Sequence, residues 1–549
     1  MGRHRSRASA RGLSPDRLMA YDYIIVGAGS SGCVLANRLS ARLSCRVLLI
    51  EAGGEDDNSM IPVPIGIGKT LFNPALCWYF PTEAEPGNAG QPRVFMRGRV
   101  LGGSSSVNGM VYCRGQPEDY DGWEALGCSG WGWADMAKAF RAIEDHELGD
   151  DGIRGVGGPV RVSIHRDQTP LTEAILDAAR ALGTPRKDDV NRPDQEGIGY
   201  CPVTIRNGRR VSAADAFLKP ARSRPNLTVV TGTEIDRLIT EGKRIVGVAG
   251  RRAGEQVEYR TAGEVIISCG TLQSPKLLML SGIGPAADLT ALGIPLVSDL
   301  PGVGRNLLEH KTVSQQLRLT RDLSLNQHLT GWRLALSAAR YALTRSGPMA
   351  ATYDLNAFIR TRPDLTQPDA QILFWALSID KKDQTRVVPE PWPGMLAMGY
   401  PLRTSSEGSV RLRSADPSAQ LLIHTNFLAT DHDREVMIGI FRYMRRLFTH
   451  PLLTGFIAVE TFPGPQVETD EEILETSRRD LTCQHAVGTC RMGKGSLAVL
   501  DEDLKVRGVE GLRVVDLSAM PTQVSGNTNG PAMAFAWRAA DILLQESSR

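Results

Sequence analysis
The residues with the most specific chemistry lie close to the start of the chain. Gly27-Ala28-Gly29-Ser30-Ser31-Gly32 is a G-x-G-x-x-G run directly after the apolar segment Tyr23–Val26. Val34, Leu35 and Leu39 then recur at helical spacing, and a second apolar run, Arg46–Ile50, ends at Glu51. Strand, glycine turn and helix in that order bind the pyrophosphate of a dinucleotide. Gly27 permits the tight turn, Gly29 lets backbone approach the phosphates, and Gly32 lets the helix pack on the strand. The helix N-terminus offers oriented N–H groups to the anion, and a carboxylate at Glu51 can accept hydrogen bonds from the ribose hydroxyls. Three glycines alone are weak evidence; their placement makes the site specific. It does not distinguish FAD from NAD.

Other groups are less informative. Gly66-Ile67-Gly68-Lys69-Thr70 looks like the tail of a P-loop, but Val63 occupies the place of the required first glycine. Gly155-Val156-Gly157-Gly158 follows no strand, precedes Pro159 and reads as a turn. The 9 cysteines lack metal-ligand spacing; Cys483 and Cys490 fit no zinc signature. They read as free thiols of a reducing compartment. The 9 histidines are candidate proton acceptors, with nothing in their spacing to rank them.

The elements that must position these residues belong to a chain of 549 residues, enough for about three or four domains at roughly 150 residues each. It is 42% hydrophobic, and its net charge of +2 argues against a nucleic-acid binder. No apolar run reaches the ~18–20 residues of a transmembrane segment. The first 19 residues form an Arg-rich leader, expected to be disordered, in which Arg3, Arg5, Arg7, Arg11 and Arg17 face only Asp16. No apolar stretch follows to make it a secretory signal, and Met19 is a plausible start. A cytoplasmic protein is expected, peripheral at a membrane if a quinone is its electron acceptor.

A second glycine-rich stretch, GRVLGGSSSVNGMVY at 98–112, resembles the first signature of the glucose–methanol–choline (GMC) oxidoreductases, FAD-dependent alcohol-oxidising flavoproteins. GTLQSPKLLMLSGIG at 270–284 resembles the second. His485 in TCQHAVGTCRMG, Asp516 in LRVVDLSAMP and Asn529 in SGNTNGPAMAF follow in family order. The resemblance runs from about Tyr21 to about Leu544. It looks closest to bacterial choline, sorbose and long-chain or polyethylene-glycol alcohol dehydrogenases.

The resemblance implies oxidation of an alcohol CH–OH to aldehyde or ketone by hydride transfer to flavin N5. His485 would be the base and Asn529 its partner; helix capping beside Pro531 is the alternative role for Asn529. FAD contacts are implied along Gly27, Gly29, Ser30, Ser31 and Gly32, and at Glu51 and Ala52. They continue along Leu101, Gly103, Ser104, Asn108, Gly109, Met110 and Val111, then at Ile235, Asp516 and Pro531. Some relatives attach FAD through a histidine just before the position of Asn108; Val107 stands there, so non-covalent FAD is expected. Gln484 and Ala486 flank His485 where many relatives carry an aromatic residue and a proline, which makes that pocket wall more polar. A flavin-containing lyase or decarboxylase, and a flavin binder without catalysis, are the competing readings.

The implied fold is α/β (α+β). A Rossmann-like FAD domain assembled from 20–160, 200–312 and 480–549 would interweave with a substrate domain from 161–199 and 313–479. The latter would be an antiparallel sheet covered by helices such as 331–345. Trp332, Tyr353, Phe374, Trp375, Trp392 and Tyr400 are expected mainly in its core. The partners are a small alcohol and an unspecified electron acceptor (oxygen, quinone or another carrier), in a monomer or homodimer.

Overall fold
The computed structural model describes residues 21–165, 168–381 and 386–546. The Arg-rich leader lies outside them.

Five strands form a parallel layer in the order Leu227–Val230, Val47–Ile50, Tyr21–Val26, the end of Glu255–Ile267, and Leu512–Val514. The three central strands are apolar where both faces are covered; Ile24, Ile25, Leu48, Leu49, Val265 and Ile266 are fully buried, whereas the outer strands carry Thr228 and Arg513. Helix Ser30–Ser40 leaves the first strand and packs on the C-terminal helix Asn529–Glu546. Strand Glu255–Ile267 is long enough to serve twice. Its start pairs antiparallel with Arg244–Arg252, which pairs with Thr233–Glu241, making the ribbon beside the sheet.

The glycine turn is fixed by contact. Gly27 has φ +100°, and a Cβ there would lie 2.4 Å from the Ser268 carbonyl oxygen. A Cβ on Gly32 would lie 1.9 Å from the Gly27 oxygen, whereas one on Gly29 would meet nothing within 4 Å. Gly27 and Gly32 therefore close the turn, and Gly29 faces open space.

The second layer has eight strands. Their order is Ile457–Phe462, Val313–Leu319, Gly394–Pro401, Ala370–Trp375, Leu355–Ile359, Gly197–Val203, Val160–His165 and Glu144–His146. All pairs are antiparallel except the last. Strand alternation sorts the side chains. Ile372, Phe374, Met395 and Ala397 face a core beneath helices Pro170–Ala181, Asp431–Phe448 and Asp470–Arg479. Leu373, Trp375, Leu396 and Met398 face a cavity shared with the first layer. This sheet also draws on residues upstream of 161, through Glu144–His146, and its strand Gly197–Val203 crosses position 200.

Two expectations need correction. Helix Gly331–Thr344 does not cover the sheet; it packs on the flanking turns Asn326–Leu329 and Pro348–Ala350. Trp332, expected in the core, is 71% exposed on that helix, because periodicity defines an apolar stripe without saying which way it faces.

Candidate functional site
One cavity of about 1150 Å³ runs between the layers from Glu51 to His485. It exceeds the roughly 300–1,000 Å³ typical of small-ligand pockets.

At the nucleotide end, Gly27, Gly29, Ser30, Ser31, Glu51, Ala52 and Ile235 line the wall. Glu51 is buried; its Oε2 accepts the Ala28 N–H at 2.9 Å and its Oε1 the Gly53 N–H at 2.9 Å. Burial pushes its carboxyl up, against the pull of those two amides. In the middle, Gly103, Ser104, Asn108, Gly109, Met110 and Val111 form the wall. Gly103 at φ +53° nests on the first glycine turn, where a Cβ would lie 2.7 Å from the Gly29 Cα. Leu101, Gly32 and Pro531, expected as contacts, do not line the cavity. Leu101 is buried behind the loop and accepts the Ser106 hydroxyl through its carbonyl. Gly32 backs Gly27, and Pro531 is buried in the first helical turn of Asn529–Glu546.

Sequence reasoning missed Arg210, which secures this loop from behind. Its buried guanidinium donates to the carbonyls of Ile61 and Asn108 and to Asn108 Oδ1, at 2.9, 2.7 and 2.7 Å. Burial lowers its pKa to about 9. Asp516 lines the cavity but is also a cap. It accepts the Gly270 N–H and the Ser274 hydroxyl at 2.8 and 2.6 Å, and the Ser518 N–H at 2.8 Å.

At the far end His485 is held on every side. Its Nδ1 lies 3.0 Å from His310 Nδ1, and its Nε2 lies 3.1 Å from Asn527 Nδ2. The tautomers follow by elimination. His310 Nε2 lies 3.0 Å from the Leu402 carbonyl, which can only accept, so that nitrogen carries hydrogen. His310 is fully buried and its pKa is lowered to about 4 by burial, so the ring is neutral and its Nδ1 is an acceptor. His485 must then donate from Nδ1, leaving the Nε2 lone pair free to accept. Burial first, then His310 and Arg97, also push the pKa of His485 well down. The result is a neutral imidazole whose basic nitrogen has one assignment.

The amide hydrogen-bonded to His485 is Asn527, two residues before the expected Asn529. Asn529 opens the C-terminal helix, and its Oδ1 accepts the Ser30 hydroxyl at 2.8 Å, turning the side chain toward the nucleotide turn. Asn527, still in the preceding loop, reaches His485. The motif holds both amides, and only the start of the helix separates them. His310 is one of the nine histidines, with no local signal of its role. Behind it, buried Glu309 accepts the backbone N–H of His485 at 2.8 Å and of His310 at 3.0 Å. Burial raises its carboxyl to about 7, with Arg97 3.8 Å away. Gln484 lines the wall, as the sequence implies, but its Oε1 is engaged by the Met96 N–H and Arg97, each at 2.9 Å.

A glycine cradle open at Gly29, a carboxylate at the strand end and a neutral imidazole across a long cavity are the parts of a dinucleotide-dependent oxidoreductase. The GMC oxidoreductase family models match residues 21–312 and 404–536. Choline dehydrogenase, mitochondrial, of Mus musculus is 40% identical over 95% of this chain and 89% of its own length. Alcohol dehydrogenase [acceptor] of Pseudomonas putida is 37% identical, with 96% of each chain covered. The crystal structure of pyridoxine 4-oxidase from Mesorbium loti superposes with a TM-score of 0.87 at 32% identity, covering 96% of this chain and 99% of the other. The chain belongs to the GMC oxidoreductase family. It is an FAD-dependent enzyme that oxidises alcohol CH–OH groups, and the relatives named are dehydrogenases and an oxidase rather than lyases. The cavity fits FAD: Gly29 leaves room for the phosphates, Glu51 for the ribose, and the loop from Gly103 to Val111 forms the middle wall.

His485→Ala should slow anaerobic flavin reduction by ~10²–10⁴-fold. Asn527→Ala should also slow reduction while FAD stays bound, whereas Asn529→Ala should weaken FAD retention and spare the reduction rate of molecules that keep it. Stopped-flow absorbance with flavin-per-chain ratios separates the two asparagines, and the reverse pattern would restore Asn529 as the partner.

Proposed function
We propose that the enzyme uses His485 Nε2 to take the hydroxyl proton of a neutral, largely apolar alcohol, with Asn527 orienting the alcohol oxygen. His310 acts as a positioning residue that sets the tautomer. The relay from the Leu402 carbonyl through His310 and His485 to Asn527 is the observation that carries this reading. FAD, when bound, supplies the two-electron acceptor for the carbinol carbon.

The substrate class follows from the wall around His485. Ile67, Leu71, Tyr353, Leu373, Leu396 and Met398 are apolar or aromatic. The charged side chains there include Arg93, Arg97, Lys381, Arg386 and Arg479 against Asp380 and Asp480, the last tied to Lys381 at 2.9 Å. A cationic rim disfavours a quaternary ammonium such as choline and suits an uncharged alcohol. We infer non-covalent FAD from Val107, which lines the cavity where some relatives carry the attaching histidine.

Three measurements test this reading. Anaerobic addition of an alcohol panel should bleach the flavin band with medium-chain apolar alcohols at lower concentration than with choline. The reverse order would assign the pocket to choline, and admitting air or a quinone afterwards identifies the acceptor. Acid precipitation should release the yellow colour to the supernatant; colour in the pellet would mean a covalent link. Finally, acid protonates the base, and its pKa is depressed. The reduction rate should therefore stay level as pH falls through the ordinary imidazole value of about 6.5 and drop only below it. A midpoint at or above that value would count against a neutral His485 of depressed pKa.

A further inference from the structure
Helix Gly331–Thr344 is inverted relative to an ordinary surface helix. Trp332, Leu336, Ala339 and Leu343 follow the i, i+4, i+7, i+11 spacing of one stripe, and that stripe faces outward. Trp332 is 71%, Leu336 58% and Leu343 86% exposed. The inward side is held by polar contacts. The Ser337 hydroxyl donates to the His328 carbonyl at 3.0 Å and the Tyr341 hydroxyl to the Gly208 carbonyl at 2.9 Å; both residues are buried. The fold thus anchors the helix firmly while leaving its apolar stripe uncovered.

Charge identifies what covers it. Arg333 and Arg340, seven residues apart, lie along one edge of the stripe, and Arg345 follows the helix end. No acid occurs in 331–345, and the nearby Asp322 pairs with Arg333 at 3.1 Å. A Trp- and Leu-bearing stripe edged by arginines matches the interface of an anionic bilayer, with guanidinium groups at the phosphates and apolar side chains among the upper acyl carbons. A second copy fits less well, since it would bring both cationic edges into one seam with little acid to offset them. The helix also borders the cavity wall. Tyr341 reaches the Pro62 carbonyl at 3.3 Å, Pro348–Ala350 packs on Pro64–Gly66, and Ile67 in the next turn lines the cavity.

We propose that Gly331–Thr344 is an interfacial docking helix that seats the enzyme reversibly on anionic lipid membranes. It places the wall around Ile67 beside the lipid surface, where apolar alcohols concentrate. The test uses the flavin-loaded full chain and vesicles of pure phosphatidylcholine or an equal mixture with phosphatidylglycerol. The wild type should co-sediment with the mixed vesicles and far less with the neutral ones. L336E/L343E should weaken that binding by about tenfold or more, with flavin content and dye-coupled alcohol oxidation unchanged. R340E should weaken binding to the mixed vesicles alone. Quenching of fluorescence by brominated lipid should fall in W332F. Wild-type protein staying in the supernatant, or L336E/L343E binding as well as wild type, would overturn the proposal. So would a concentration-dependent dimer, seen by sedimentation velocity, that L336E/L343E dissolves; that result would give the stripe to a second copy.

Discussion
A neutral imidazole pair, with His310 buried and His485 at the cavity wall, is the constraint on which the rest of the site depends. His310 and His485 share one hydrogen between two Nδ1 atoms 3.0 Å apart, and that contact is favourable only if exactly one of them donates. The Leu402 carbonyl makes the choice by claiming the Nε2 hydrogen of His310. A protonated His310 would oppose hydrogen to hydrogen at the His485 contact and bury a charge. Burial of His310 is therefore part of the mechanism: it keeps the relay neutral, and the relay then leaves Nε2 of His485 as the accepting nitrogen, facing Asn527.

This constraint also explains the interwoven chain. Leu402 follows strand Gly394–Pro401 of the antiparallel sheet, and His310 lies shortly before strand Val313–Leu319 of the same sheet. His485 lies after helix Asp470–Arg479, where the chain returns to the nucleotide layer, and Asn527 stands just before the C-terminal helix that packs on Ser30–Ser40. Neither layer alone contains the relay. Joining the two as independent domains on a linker would let their relative motion stretch 3 Å contacts, whereas several chain crossings hold the seam.

What was legible in the sequence was local or strongly patterned. The turn at Gly27–Gly32 depends on residues within one strand–helix unit, so its spacing was sufficient, and the strands around Ile24 and Leu48 were legible because each carries a continuous apolar run. Features that depend on distant partners were not. Arg210 is one of many arginines until the fold brings the Ile61 and Asn108 carbonyls around it. Asn527 and Asn529 are chemically the same, and the choice between them rests on where the helix begins. Trp332 shows the same limit from another side: a helix over 331–345 was legible, but an amphipathic pattern is unchanged by rotating the helix half a turn, and Ser337 and Tyr341 decided the rotation.

Gln484 illustrates how an apparent substrate contact can be spent within the protein. From the sequence alone, a glutamine beside the base makes the pocket more polar. In the fold its backbone sits at φ +67°, and its Oε1 takes hydrogens from the Met96 amide and from Arg97. That amide therefore helps hold strand Val94–Gly98 and the guanidinium in place. Arg97 is in turn 3.8 Å from Glu309, too far for a strong hydrogen bond, and Glu309 spends its Oε1 on the two histidine amides. The cation beside His485 is thus only loosely compensated, which lowers the basicity of the ring while keeping it in the form that can act. Low basicity makes a proton on Nε2 short-lived, so the arrangement favours passing that proton onward over storing it.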